Sequence, residues 1–242
     1  MRKRGQLTIF IILGLAIVII IISLFLLVSN TNIIRPTRST PSEIKNLEYQ
    51  IEDCLEQRLN DAIGLVGLGG GYIYPENIID SVFGEVSYAY KQRRIILPTI
   101  RNIEEDIAKY ISESVPFCIE LEENIEIKDN VKTNVKIERD VVRANINIPF
   151  YFYDNEKVIR VNNNYNSEVE IRLWKIHSVA QQIIEKQRNY EGIPLTFIAS
   201  DEEHDIFYDF YDEETVIYII HDEESKLNRE ISYNFIFAVE II

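Results

Sequence analysis

The sequence predicts an α+β protein: one N-terminal transmembrane helix, then an extracellular domain of about three helices packed on an antiparallel sheet. Three observations predict it. Leu7 to Val28 is an uncharged apolar run. Apolar residues recur at helical spacing through most of 42–118. From 119 to 242 they mostly alternate with polar residues, as strands require, and one further stretch there has helical spacing.

The apolar run has the length of a membrane span, since a helix over Leu7–Val28 reaches about 33 Å against a bilayer core of about 30 Å. The basic residues Arg2-Lys3-Arg4 precede it and predict a cytoplasmic N-terminus. We therefore divide the chain into a cytoplasmic cap (1–6), a transmembrane helix in contact with lipid (7–28), a linker (29–41) and an extracellular domain (42–242). The alternative of a cleaved secretory signal is disfavoured, because such signals have shorter apolar cores.

Charge and cysteine content fit an exported domain. The formal net charge is −14, and the basic cap contributes +3, which leaves −17 for the rest. That surface excludes nucleic acid as a partner, because it would repel the phosphates. The two cysteines, Cys54 and Cys118, are predicted to form a disulfide; the alternative is two free, buried thiols.

The domain is predicted to begin with a long helix. Pro36 and Pro41 interrupt any continuation from the membrane segment, and Ser42 can cap the helix that follows. The glycines after Leu65 predict its end near Gly67. They do not predict a phosphate-binding loop, because a helix rather than a strand precedes them. The buried face of this helix is predicted to be Ile44, Leu47, Ile51, Leu55 and Leu59.

A hairpin or extended segment is predicted over 84–97, and a second helix begins at Pro98 and stops before Pro116. Its apolar side carries Ile100, Ile103, Ile107, Tyr110 and Ile111. Cys118 lies just past this helix, so the disulfide would join its end to the first helix. Four tyrosines could form an exposed patch near the glycines: Tyr72, Tyr74, Tyr88 and Tyr90.

Period-two alternation predicts strands over 131–137 and 142–152, then an asparagine-rich turn at Asn162–Asn166 and a further strand at 167–173. A helix follows, ended by Gly192 and Pro194. The remaining predicted strands are PLTFIA, DIFYDFY, TVIYII and ISYNFIFAVEII. The length of the last one predicts a central strand.

Two resemblances rest on particular motifs. The residues Arg2-Lys3-Arg4-Gly5-Gln6 before the apolar run resemble the class III signal of archaeal type IV pilin-like proteins, which implies cleavage between Gly5 and Gln6. The RGQLTIFIILG opening, the GLGGGYI turn and the NFIFAVEII strand look like a group of uncharacterised archaeal membrane-anchored proteins. That resemblance implies a location and a fold, and no catalytic residues.

The histidines suggest no chemistry. His204 and His221 lie in acidic runs that we interpret as solvated turns, and His177 and Ser178 diverge on their helix. We predict no enzyme activity, no cofactor and no metal. The sequence instead favours a single-pass cell-surface protein, an envelope or interaction module with a possible protein partner. The alternative is a pilin-like subunit or minor component of a surface filament.

Overall fold

The structure, a computed structural model, describes residues 42–241 except 129, 155, 156 and 191. The predicted cytoplasmic cap (1–6), transmembrane helix (Leu7–Val28), linker (29–41) and processing site at Gly5 and Gln6 lie outside these residues. Within the described part, no helix is long and apolar enough to cross a membrane. The fold there is α+β, as predicted, with four helices and two sheets rather than about three helices on one antiparallel sheet.

The helices follow the predicted apolar spacing. The five residues predicted for the buried face of the first helix are all buried, and the second helix buries Ile103, Ile107 and Ile111. Thr99 caps the second helix by accepting a hydrogen bond from the Asn102 amide. The helices are α1 (Ser42–Leu68), α2 (Ile100–Ser114), α3 (Leu173–Tyr190) and α4 (Leu195–Ser200), and a 3-10 turn at Val115–Phe117 follows α2.

The glycines end α1 as predicted. Gly71 donates its N–H to the Val66 carbonyl oxygen at 2.8 Å, which closes the last turn. Gly70 and Gly71 both have positive φ, 63° and 99°, a conformation that glycine adopts without the steric cost paid by other residues. This cluster is therefore a helix cap.

The larger sheet has six strands in the order β1-β2-β10-β9-β8, with β3 also paired to β2. β10 is central, which confirms the prediction. The sheet is mixed, because β10 runs parallel to β2 and antiparallel to β9. A parallel pair needs a long crossover, and here most of the domain lies between β2 and β10. The strands are β1 (Ile78–Ser81), β2 (Gly84–Lys91), β3 (Arg94–Ile95), β8 (Asp205–Phe210), β9 (Thr215–Leu227) and β10 (Ile231–Glu240).

The smaller sheet contains β4 (Ile125–Ile127), β5 (Lys132–Ile137), β6 (Val142–Asp154) and β7 (Lys157–Val169). The other three strands each pair antiparallel with β6. The turn predicted at Asn162–Asn166 is wrong, because these residues lie inside β7. Cross-strand amide pairs explain the strand: Asn145 donates to Asn166 at 2.6 Å and Asn147 donates to Asn164 at 2.9 Å. Two of the amides that could favour a turn, those of Asn164 and Asn166, instead accept hydrogen bonds from β6.

Two further strand predictions are corrected. PLTFIA forms α4, because Pro194 begins a helical turn in which its carbonyl accepts from the amides of Phe197 and Ile198, both at 3.0 Å. The strand predicted over 167–173 ends at Val169, and the chain enters α3 at Leu173. Both apolar stretches have strand-like composition, and their local hydrogen bonds override it.

Helix α1 contacts both sheets. Glu48 accepts a hydrogen bond from Asn163 of β7 at 2.6 Å, and the Ile63 carbonyl accepts from the Tyr233 hydroxyl of β10 at 3.2 Å. The main apolar cluster includes residues from α1, α2, α3 and both sheets. One core therefore supports both sheets.

Candidate functional site

The two predicted disulfide cysteines are brought together by the fold. Cys54 is buried on α1, Cys118 follows the turn after α2, and their Cα atoms are 6.2 Å apart, within the usual range for a disulfide. The bridge fastens the end of α2 to the middle of α1. This is a structural role.

The predicted tyrosine patch forms only in part. Tyr72, Tyr74 and Tyr88 line one cavity of about 380 Å³, whereas Tyr90 is buried in the main core. The Tyr72 hydroxyl donates to the Ile96 carbonyl, and burial, with nearby acidic groups, raises the pKa of Tyr72. The Tyr88 hydroxyl is 3.2 Å from the Thr215 hydroxyl. Since two of the three hydroxyls are used in internal contacts, these tyrosines mainly hold the fold together.

His177 is a core residue. Its Nε2 lies 2.7 Å from the Pro98 carbonyl oxygen, and burial lowers its pKa. That contact ties α3 to the start of α2.

The interpretation of His221–Glu224 as a solvated turn is wrong. These residues lie in β9, where alternate side chains point to opposite faces, and Asp222 is fully buried. Arg172 makes a two-pronged ion pair with Asp222, one contact being 2.9 Å. Burial alone would raise the pKa of Asp222, but hydrogen bonds from Arg172 and Ser225 outweigh it and hold that pKa below its usual value.

The other side of the same acidic segment brings three potential metal ligands together. Asp205, His221 and Glu223 each offer a ligand atom, and these atoms lie within 4.8 Å of one another.

The most exposed apolar feature of the sheets is the edge strand β8. It pairs with β9 on one side, and within the described residues no strand pairs with its other side. Four aromatic residues of this strand and the turn after it are exposed, although each of them is large and apolar. We call them the aromatic edge: Phe207, Tyr208, Phe210 and Tyr211, with exposed fractions of 55%, 39%, 56% and 45%.

The aromatic edge has rings on both faces of the sheet. Phe207 is paired with Ile219, whereas Tyr208 and Phe210 point to the opposite face and meet edge to face with ring centroids 6.3 Å apart. Tyr208 also lies 6.5 Å from the buried Tyr218. An added strand would therefore find apolar contacts above and below its backbone.

The segment that carries the aromatic edge is strongly acidic. Residues 201–214 contain eight carboxylates and no lysine or arginine. Such a field attracts a positively charged partner and repels other copies of this acidic domain.

The sequence could not reveal this site, because strand order determines which strand lies at an edge. The local signal was the mixture of four aromatic and two acidic residues in DIFYDFY. In comparisons with known proteins, no family model, no curated protein and no solved structure matches this chain.

Proposed function

We propose that this protein is a single-pass, membrane-anchored cell-surface module, without enzyme activity, that binds an extended and positively charged segment of a partner protein along β8. The observation that carries the proposal is the aromatic edge: a strand with one unpaired side, flanked by exposed rings. Monomeric proteins rarely leave such an edge uncovered unless charge protects it or a partner uses it.

The mode of binding follows from the backbone. An extended peptide beside β8 would pair with its free N–H and C=O groups, and its alternate side chains would meet the aromatic rings. The carboxylates of residues 201–214 favour lysine or arginine at the remaining positions of the peptide. They also protect the free edge from self-association, because two acidic edges repel each other.

The location is supported by the sequence. The apolar run Leu7–Val28 has the length of a membrane helix, and Arg2-Lys3-Arg4 favours a cytoplasmic N-terminus. The paired Cys54 and Cys118 are typical of a domain outside the cytoplasm.

The binding test uses the full chain in lipid nanodiscs and a labelled ten-residue peptide of alternating valine and lysine, followed by fluorescence anisotropy. We expect binding that weakens at least tenfold in Phe207→Ser and Phe210→Ser. Phe117→Ser is the matched control, since Phe117 is 89% exposed outside β8. The same peptide with N-methylated valines keeps its charge and loses its strand hydrogen bonds, so it should not bind. Equal binding of the methylated peptide, or equal loss in all three variants, would refute strand addition.

The alternative, a pilin-like filament subunit, is favoured by the Arg2-Lys3-Arg4-Gly5-Gln6 motif. A subunit must lose its basic cap, because three uncompensated charges cannot enter an apolar helix bundle without a desolvation cost of several kcal/mol. An anchored protein keeps the cap. We expect the intact mass of the native chain to include Arg2-Lys3-Arg4, and native chains that begin at Gln6 would establish the filament function instead.

A further inference from the structure

We propose that Asp205, His221 and Glu223 bind one divalent transition-metal ion, of the Zn²⁺ class, on the larger sheet. The site lies on the side of β9 that carries Ile217 and faces away from the main apolar cluster, which contains Tyr218. Metal binding here requires no partner strand, so it is separate from the function proposed for β8.

The sheet register brings the three side chains together. Asp205 of β8 is the direct partner of His221 in β9, and Glu223 follows His221 by two residues. Directly paired residues point to the same face, which places Asp205 beside His221. Glu223 lies in a bulge of β9, and its carboxylate reaches the same two side chains. Their ligand atoms lie within 4.8 Å of one another, close enough for small movements to bring all three to one ion.

The imidazole is already oriented. His221 is also the partner of Asn234 in β10, and its Nδ1 lies 2.7 Å from the Asn234 Oδ1. An amide oxygen only accepts hydrogen bonds, so Nδ1 carries the proton and Nε2 keeps its lone pair. Metal-binding histidines are typically held this way, with the second nitrogen donating to an oxygen.

Two carboxylates of this site have no lysine or arginine partner among the described residues. Within the described residues, neither Asp205 nor Glu223 forms an ion pair with lysine or arginine, whereas the neighbouring Asp222 and Glu224 are both paired with Arg172. Asp222 and Lys226 pair with the consecutive residues Tyr233 and Ser232, so 223–225, which include both Glu223 and Glu224, form a bulge in β9. Arg172 thus neutralises Asp222 and Glu224, and it leaves Asp205 and Glu223 without a lysine or arginine partner among the described residues.

The ligand set points to a class of metal. Imidazole nitrogen suits Zn²⁺ and its neighbours in the transition series, while Mg²⁺ and Ca²⁺ prefer sites made only of oxygen. Three protein ligands leave at least one position for water. Asp205 and Glu223 are exposed, so an ion can enter from solvent.

The test uses the full untagged chain in detergent, stripped with EDTA, desalted and titrated with ZnCl₂ by calorimetry. We expect one equivalent to bind in the wild type. Asp205→Asn, Glu223→Gln and His221→Gln should each weaken that binding at least tenfold. Asp209→Asn is the matched control, because Asp209 lies on the same face of β8 and should leave binding unchanged.

A milder variant covers the case in which His221→Gln does not fold. Asn234→Ser removes only the partner that orients the imidazole, and it should weaken Zn²⁺ binding by about tenfold. Absence of stoichiometric binding, equal binding in Asp205→Asn and the wild type, or CaCl₂ binding as tight as that of ZnCl₂ would each overturn the proposal.

Discussion

Replacement of Gly67 by alanine should destabilise the domain, although alanine is the better helix former. A Cβ at this position would lie 2.3 Å from the Asn234 carbonyl oxygen and 2.9 Å from the Tyr233 ring. The first contact is more than an ångström too short, and it is made to the backbone of the central strand β10, which cannot move alone. Overpacking of this kind costs about 3 kcal/mol, against a helix-propensity gain of about 1 kcal/mol. The net loss is therefore about 2 kcal/mol.

Gly64 gives the matched control, one turn earlier on α1. A Cβ there would meet only the end of the Leu227 side chain, at 3.4 Å, which is an ordinary contact. Gly64→Ala should therefore keep or raise stability, by up to about 1 kcal/mol. Thermal unfolding of the full chain in detergent, followed by circular dichroism, should show the Tm of Gly67→Ala lower by roughly 5 °C. A Gly67→Ala chain as stable as Gly64→Ala would show that α1 does not pack this closely on β10.

Three further predictions concern the domain's stability. Alkylation of the unreduced protein should find no free thiol at Cys54 or Cys118, and modification of either cysteine would contradict the disulfide. Reduction should lower the free energy of unfolding by about 4 kcal/mol in the chain-entropy model, which corresponds to a Tm fall of roughly 10 °C. Asp222→Asn should cost about 3 kcal/mol at neutral pH by leaving Arg172 without its buried partner. The folded pKa of Asp222 is lowered, so the stability that this pair gives the wild type is present above the unfolded pKa of about 4 and is lost as the pH falls through the folded pKa. The Tm values of the wild type and of Asp222→Asn should therefore converge in acid. A Tm difference that stays constant with pH would contradict that pairing. A truncated chain of residues 42–242 should be a soluble monomer by light scattering under oxidising conditions, because these residues form a compact unit from Glu43 onward. Persistent aggregation of the truncated chain would contradict this prediction.

Local patterns predicted the elements whose stability comes from one buried face. The helical spacing of α1 and the alternation of β6 report which residues enter the core, because one side of each element is apolar along its length. The central position of β10 followed from the same logic, since a strand buried on both faces needs a long apolar run. These features depend only on residues close together in the sequence.

Two of the errors share one cause, which is a partner distant in the sequence, whereas PLTFIA forms a helix through local hydrogen bonds. Asn162–Asn166 has the composition of a turn, and its pairing with the distant strand β6 makes it a strand. Asp222 looks solvated in its acidic run, but Arg172, 50 residues earlier, forms the ion pair that compensates for its burial. DIFYDFY is a strand, as predicted, but its place at the edge could not be predicted, because a single sequence does not show which strand lacks a neighbour.

Synthesis from the N-terminus delivers β10 after every strand that it joins. Ala238 of β10 pairs with Tyr88 of β2 across more than half of the chain, and on its other side β10 pairs with β9. Until residues 231–240 are available, β2 and β9 are the borders of two separate half-sheets, each with an open edge. Such edges recruit strands from other chains, and contacts between distant residues form slowly. The larger sheet therefore closes in one late step, and incomplete chains are the form of this protein most prone to aggregate.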